Sequence, residues 1–131
     1  MEEVKCLDNH LSNGEKKNYR AERKYQGSND GFTPKAFHSK ADNLKATVFL
    51  CLTLNGTCIA GYTSLPWKSE IGDRYFDGID YKDKSAIVMN LTRNVSFAAR
   101  DDAFGGIYCD RYQGPVFGGG ALKVYPEGKE G

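Results

Sequence analysis

YQGSNDGFTPKAFHSKADN, residues 25–43, is followed after three residues by TVFLCLTLNGTCIAGYTSLPW at 47–67. The first stretch opens on a Gly/Asp turn in which Asp30 accepts nearby backbone N–H groups, Gly31 takes an unusual φ and Phe32 enters the core. Thr33 then offers an N-cap hydroxyl. Pro34 sits at the first helical position, where its missing N–H costs nothing. A helix to about Ala41 follows, with Asp42-Asn43 closing it. Phe37 and Ala41 share a face with Phe32, so this face is expected to pack on a sheet. The second stretch reads as a hairpin, Thr47 to Leu54 and Thr57 to Thr63, around a two-residue Asn55-Gly56 turn. That turn places Val48, Leu50, Leu52, Leu54 and Ile59 on one face and Phe49, Cys51, Cys58, Ala60 and Tyr62 on the other. Both faces are apolar, which predicts central strands covered on one side by a second sheet and on the other by the helix.

Working outward, Tyr19 to Tyr25 alternates weakly and reads as an edge strand, with residues 1–18 a flexible lead-in. Lys68 to Lys84 reads as a long polar connection. Ser85 to Thr92 is a buried strand, a short strand is expected around Val95–Phe97, and Ile107 to Asp110 and Leu122 to Tyr125 complete the set. The expected architecture is mainly β, a two-sheet antiparallel β-sandwich with one or two short helices packed outside, forming a single domain over 19–131.

A chain of 131 residues can bury a core of this kind without disulfide staples. Its net charge of +1 supplies no field for nucleic acid or a membrane surface. No apolar run reaches the length of a membrane span, and the polar start MEEVKCLDNH has no signal-peptide h-region. Cys51 and Cys58 flank the turn as diagonal neighbours and Cys6 and Cys109 sit in unrelated contexts, so reduced thiols and a cytoplasmic location are expected.

Few residues invite chemistry. His38 lies four residues before Asp42, so imidazole and carboxylate meet on one helix face. That is two-thirds of a nucleophile-activating relay, but no serine in a strained elbow supplies the third member. The favoured role for the pair is to pin the helix. Gly118, Gly119 and Gly120 could cradle an anion, yet they lead into a strand rather than a helix, which favours a bend or close backbone approach. Asp73, Asp77, Asp80 and Asp83 do not match a calcium loop. Trp67, at a strand exit, is a core plug or a recognition anchor. With Tyr75, Phe76 and Tyr81 of the loop at 70–83 it forms the candidate binding surface, since binding residues gather on long loops held by a rigid scaffold. No cofactor or metal is expected.

YQGSNDGF at 25–32, FHSKADN at 37–43, GYTSLPW at 61–67, AIVMNL at 86–91, IYC at 107–109 and FGGG at 117–120 together resemble the TLDc domain. The likeness spans roughly residues 23–125. It implies a β-sandwich flanked by short helices in a eukaryotic cytosolic protein of the oxidation-resistance kind. It also implies a protein partner: several relatives bind the V-type proton ATPase, and others are linked to protection against oxidative stress. No agreed catalytic set is carried over. The chain has Ala41 where the family usually has Cys, and Ala121-Leu122 where FGGG is commonly followed by His-Asp. It ends at Gly131, where the family has further strand residues, so one sheet edge is expected to be short. The reading that follows is a non-enzymatic interaction module of unknown oligomeric state. The alternative is a small hydrolase or antioxidant enzyme using His38 with Asp42, or a reactive thiol such as Cys109.

Overall fold

The computed structural model describes residues 20–69, 78–98 and 106–124. Within them the chain forms two four-stranded antiparallel sheets and two short helices. The helices are α1 (Gly27–Asp30) and α2 (Pro34–Ala41). The strands are β1 (Thr47–Leu52), β2 (Cys58–Thr63), β3 (Gly78–Tyr81), β4 (Ile87–Asn90), β5 (Val95–Ala98), β6 (Ile107–Asp110), β7 (Val116–Phe117) and β8 (Leu122–Lys123). One sheet has the order β1-β2-β4-β5 and the other β3-β6-β7-β8. The mainly β, two-sheet architecture expected from the sequence is therefore the one observed.

Helix α2 begins as its sequence dictates. The Thr33 hydroxyl accepts from the Ala36 N–H at 3.1 Å, and Pro34 opens the helix. Its inward face carries Phe37 and Ala41 into the main core beside Trp67, Ile107, Cys109, Phe117 and Leu122. Phe49 and Ile59 from the first sheet pack against the same cluster. Phe37 is the hub, meeting Tyr25, Phe49 and Trp67 edge to face at 5.5–5.9 Å between ring centroids.

The hairpin departs from expectation by a single residue. The Thr53 N–H donates to Thr57 O at 2.9 Å, and the Gly56 N–H closes a turn on Thr53 O at 3.0 Å, so three residues form the loop. Gly56, not Asn55, takes the positive φ, +87°. Cys51 therefore lies opposite Ile59, and Leu52 opposite Cys58. Side chains alternate with a period of two, so the slip exchanges partners between faces. Ile59 joins Phe49 and Cys51 facing the second sheet, while Cys58, Ala60 and Tyr62 join Val48, Leu50 and Leu52 on the outer face. Cys51 and Cys58, both reduced thiols, end on opposite faces.

Several other expectations are corrected. Helix α2 does not cover the outer face of the hairpin; it lies on the inner side, because Phe37 and Ala41 find their apolar partners there. The outer face holds a smaller cluster of Ala60, Met89 and Leu91 and leaves Leu50 and Leu52 exposed. Residues 20–26 form no strand, and the Gly27–Asp30 turn is a single helical turn. Phe32 does not enter the core: it is 48% exposed, its ring folded back over Gly27. Strand β3 interrupts the polar connection, and β7, two residues long, precedes the glycines. The expected lead-in at 1–18 lies outside the described residues.

Candidate functional site

His38 and Asp42 lie one turn apart at the end of α2, as their spacing requires, and their Nδ1 and Oδ1 atoms are 2.6 Å apart. The ring is buried and its other nitrogen, Nε2, lies 2.8 Å from Asp110 O and 2.7 Å from Gln113 O. Carbonyl oxygens only accept, so Nε2 carries a proton and donates to both. With a carboxylate at Nδ1, the surroundings are matched in full by a ring donating from both nitrogens. In a nucleophile-activating relay one imidazole nitrogen must instead accept a proton from a hydroxyl or thiol. Neither nitrogen faces such a group here.

The carbonyls come from the turn after β6. Asp110 is 1% exposed, and its carboxylate accepts from Tyr112 N–H at 2.8 Å, Tyr108 O–H at 3.2 Å and Gln113 Nε2–H at 3.3 Å. Burial, followed by the Asp110 charge, pushes the Tyr108 hydroxyl up to about 12. Asp110 thus shapes the turn, and His38 ties it to a helix more than seventy residues earlier in the chain. Asp42 holds the third side: its Oδ2 accepts from the Ser69 hydroxyl. The Asn43 N–H donates to Trp67 O at 2.8 Å. The helix exit and the strand exit GYTSLPW are therefore laced together.

Trp67 is 2% exposed, with edge-to-face contacts to Phe37 and Phe117 and its indole N–H donating to Thr47 Oγ1 at 3.0 Å. It presents no surface to a partner. Tyr81 is half-buried against the main core, with Lys68 Nζ 5.3 Å from its ring centre. Tyr75 and Phe76 lie outside the described residues. Asp30 reaches back to the Gln26 N–H at 2.8 Å, and Gly31, at φ +111°, has its carbonyl held by the Tyr25 hydroxyl at 2.6 Å. Gly118–Gly120 forms a 3₁₀ turn with φ of +56° at Gly118 and +99° at Gly120. The Gly118 N–H donates to Gly106 O and the Ala121 N–H to Gly118 O, so these donors are committed to the chain itself. Cys109 has no solvent exposure, whereas a reactive thiol needs access and a stabilised thiolate.

A second polar centre was not legible as such in the sequence. Asp83, 7% exposed, accepts from Thr63 Oγ1–H at 2.6 Å, Ser64 N–H at 2.9 Å and Ser64 Oγ–H at 3.0 Å. It also accepts from Ser85 N–H at 2.9 Å and Ser85 Oγ–H at 2.6 Å. Burial alone would raise its carboxyl, but the hydrogen bonds from Ser85, Thr63 and Ser64 outweigh burial and hold it below the ordinary value of 3.8. The only advance signal was the Asp-x-Ser spacing, which favours an Asx turn. A carboxylate with a depressed folded pKa contributes stability above its unfolded value and loses it as pH falls. Asp83→Asn is expected to destabilise the protein by about 2 kcal/mol at neutral pH, since the amide nitrogen cannot accept from the surrounding donors. Below about pH 4 the gap from the parent should narrow, a prediction for urea titrations across pH.

Among the described residues no group of three or more His, Cys, Asp or Glu side chains could hold a metal ion. A shallow cleft of about 150 Å³ lies between Arg23, Lys24, Tyr25, Gln26, Asn29 and Asp30. Small-molecule sites usually enclose roughly 300–1,000 Å³, so this hollow is undersized for one. None of the helices among the described residues is long and apolar enough to cross a membrane. The family model of the TLDc domain matches residues 1–126. No curated protein matches the chain.

Proposed function

We propose, from the premise that this chain belongs to the TLDc domain family, that it is a non-enzymatic protein-interaction module. The observation carrying this reading is the engagement of His38: its two ring nitrogens are spent on Asp42, Asp110 O and Gln113 O. The best acid–base pair in the sequence is thereby a structural clamp. The finer reading takes the cytosolic sector of the V-type proton ATPase as the partner, in the cytoplasm of a eukaryotic cell, with oxidative-stress protection as the outcome. Its contact surface is the segment 70–83, with Tyr75, Phe76 and Tyr81 as anchors. Long segments held by a rigid scaffold are where binding residues gather.

The test is retention of the purified cytosolic ATPase sector on the immobilised full chain. Enrichment over a scrambled-surface control is expected, falling at least tenfold, or about 1.4 kcal/mol, when Tyr75, Phe76 and Tyr81 are replaced by alanine. No enrichment removes this partner. Hydrolytic or peroxide-reducing turnover that disappears in His38→Ala or Cys109→Ala, with folding intact, would replace the module reading with an enzymatic one.

A further inference from the structure

Among the described residues strand β1 is the edge of its sheet, and it reads TVFLCL, with no charge and no proline. Edge strands are normally protected by lysines, prolines or bulges, because their unpaired N–H and C=O groups template pairing with another chain. Here Leu50 is 55% and Leu52 74% exposed.

The hydrogen-bond parity of the ladder shows which groups face outward. Thr53 donates to Thr57 in the continuing β1–β2 register. Leu91 donates to Cys58 in the continuing β2–β4 register. Alternate residues bond across an antiparallel ladder. Thr47, Phe49 and Cys51 therefore bond to β2, while Val48, Leu50 and Leu52 direct their backbone groups away from it. The same three residues carry their side chains on the outer face, so the open backbone and the exposed leucines coincide.

We infer that β1 is a homodimerisation edge, pairing antiparallel with β1 of a second copy about a two-fold axis at Leu50. In this register Leu50 opposes Leu50 of the second copy, and Val48 and Leu52 oppose each other twice. Three backbone-bonded positions are then flanked by apolar cross-strand pairs, and the two sheets become one sheet of eight strands. A second copy fits because the strand is self-complementary: no like charges meet, and the interface closes on itself. The other edge lacks this property. Strand β5 is four residues long and presents only Ser96 and Ala98 on that face. Pairing of β1 with β5 of another copy would give an open chain rather than a closed dimer.

Sedimentation of the full chain over a wide concentration range tests the inference. A reversible monomer–dimer equilibrium is expected. Leu50→Lys and Leu50→Glu should each weaken it by roughly 100-fold or more, since each sets a like charge opposite itself and removes two leucines from the seam. Mixing the two variants should restore a dimer, because the axis brings residue 50 against itself. That rescue also shows both variants to be folded. Ser96→Lys on the opposite edge should change nothing. A parent chain that stays monomeric, a dimer indifferent to Leu50→Lys, failure of the mixed pair to associate, or an open series of oligomers would each overturn the proposal.

Discussion

Trp67→Ala is expected to lower the unfolding free energy by about 4 kcal/mol, read from urea or thermal unfolding. The indole lies between Phe37 and Phe117 and is 2% exposed, so truncation opens a cavity bounded by both the helix and the second sheet. It also removes the donor to Thr47 Oγ1. Against a total stability of roughly 5–15 kcal/mol for a domain, this single change approaches the limit of what the fold tolerates. The measurement separates two roles for the same residue. An exposed recognition anchor would leave stability within about 0.5 kcal/mol of the parent and abolish binding. A core plug does the reverse, and binding falls only in proportion to the unfolded fraction.

His38→Ala is expected to cost a similar amount, about 4 kcal/mol, from loss of a charge-assisted bond, exposure of a buried carbonyl and lost packing. Gln113 O loses the His38 donor, Asp42 Oδ1 loses its partner, and Phe37 loses an edge-to-face neighbour at 5.1 Å. Asp110 O is less affected because the Gln113 N–H still reaches it at 3.1 Å. Hydrogen exchange should show the damage at both ends of the clamp, in the amides of Asp42 and Asn43 and in the turn at 110–113. His38→Gln, which keeps an amide donor, should recover roughly half of the loss. A histidine serving catalysis would show the opposite pattern, with stability kept or raised and activity lost.

The parts of the site legible in the sequence are those fixed by local geometry. Thr33-Pro34 starts a helix whatever follows, and a four-residue spacing brings His38 to Asp42 through helical pitch alone. What His38 does with its second nitrogen was not legible, because Asp110 and Gln113 reach it only when the sheets assemble. Asp83 is a similar case: read as one of several loop carboxylates, it is the buried acceptor joining the end of β2 to the start of β4. Strand β3 stayed hidden in a polar run because Asp80 and Ile79 are exposed on it and its pairing with β6 supplies the order.

Sequence by itself determined the fold class, the helix cap, the core aromatic Phe37 and the family. All of these rest on short-range chemistry or on apolar patterning that survives small errors of register. Tertiary structure alone decided which face of the hairpin is buried, where α2 lies and how the polar groups are shared out. One extra residue in the loop at 54–56 moved the side chains of β2 to the opposite faces relative to β1, since a strand's alternation has a period of two and no tolerance for a slip of one. Leu50 and Leu52 lie exposed on the outer face because α2 packs on the inner side and β1 is an edge among the described residues.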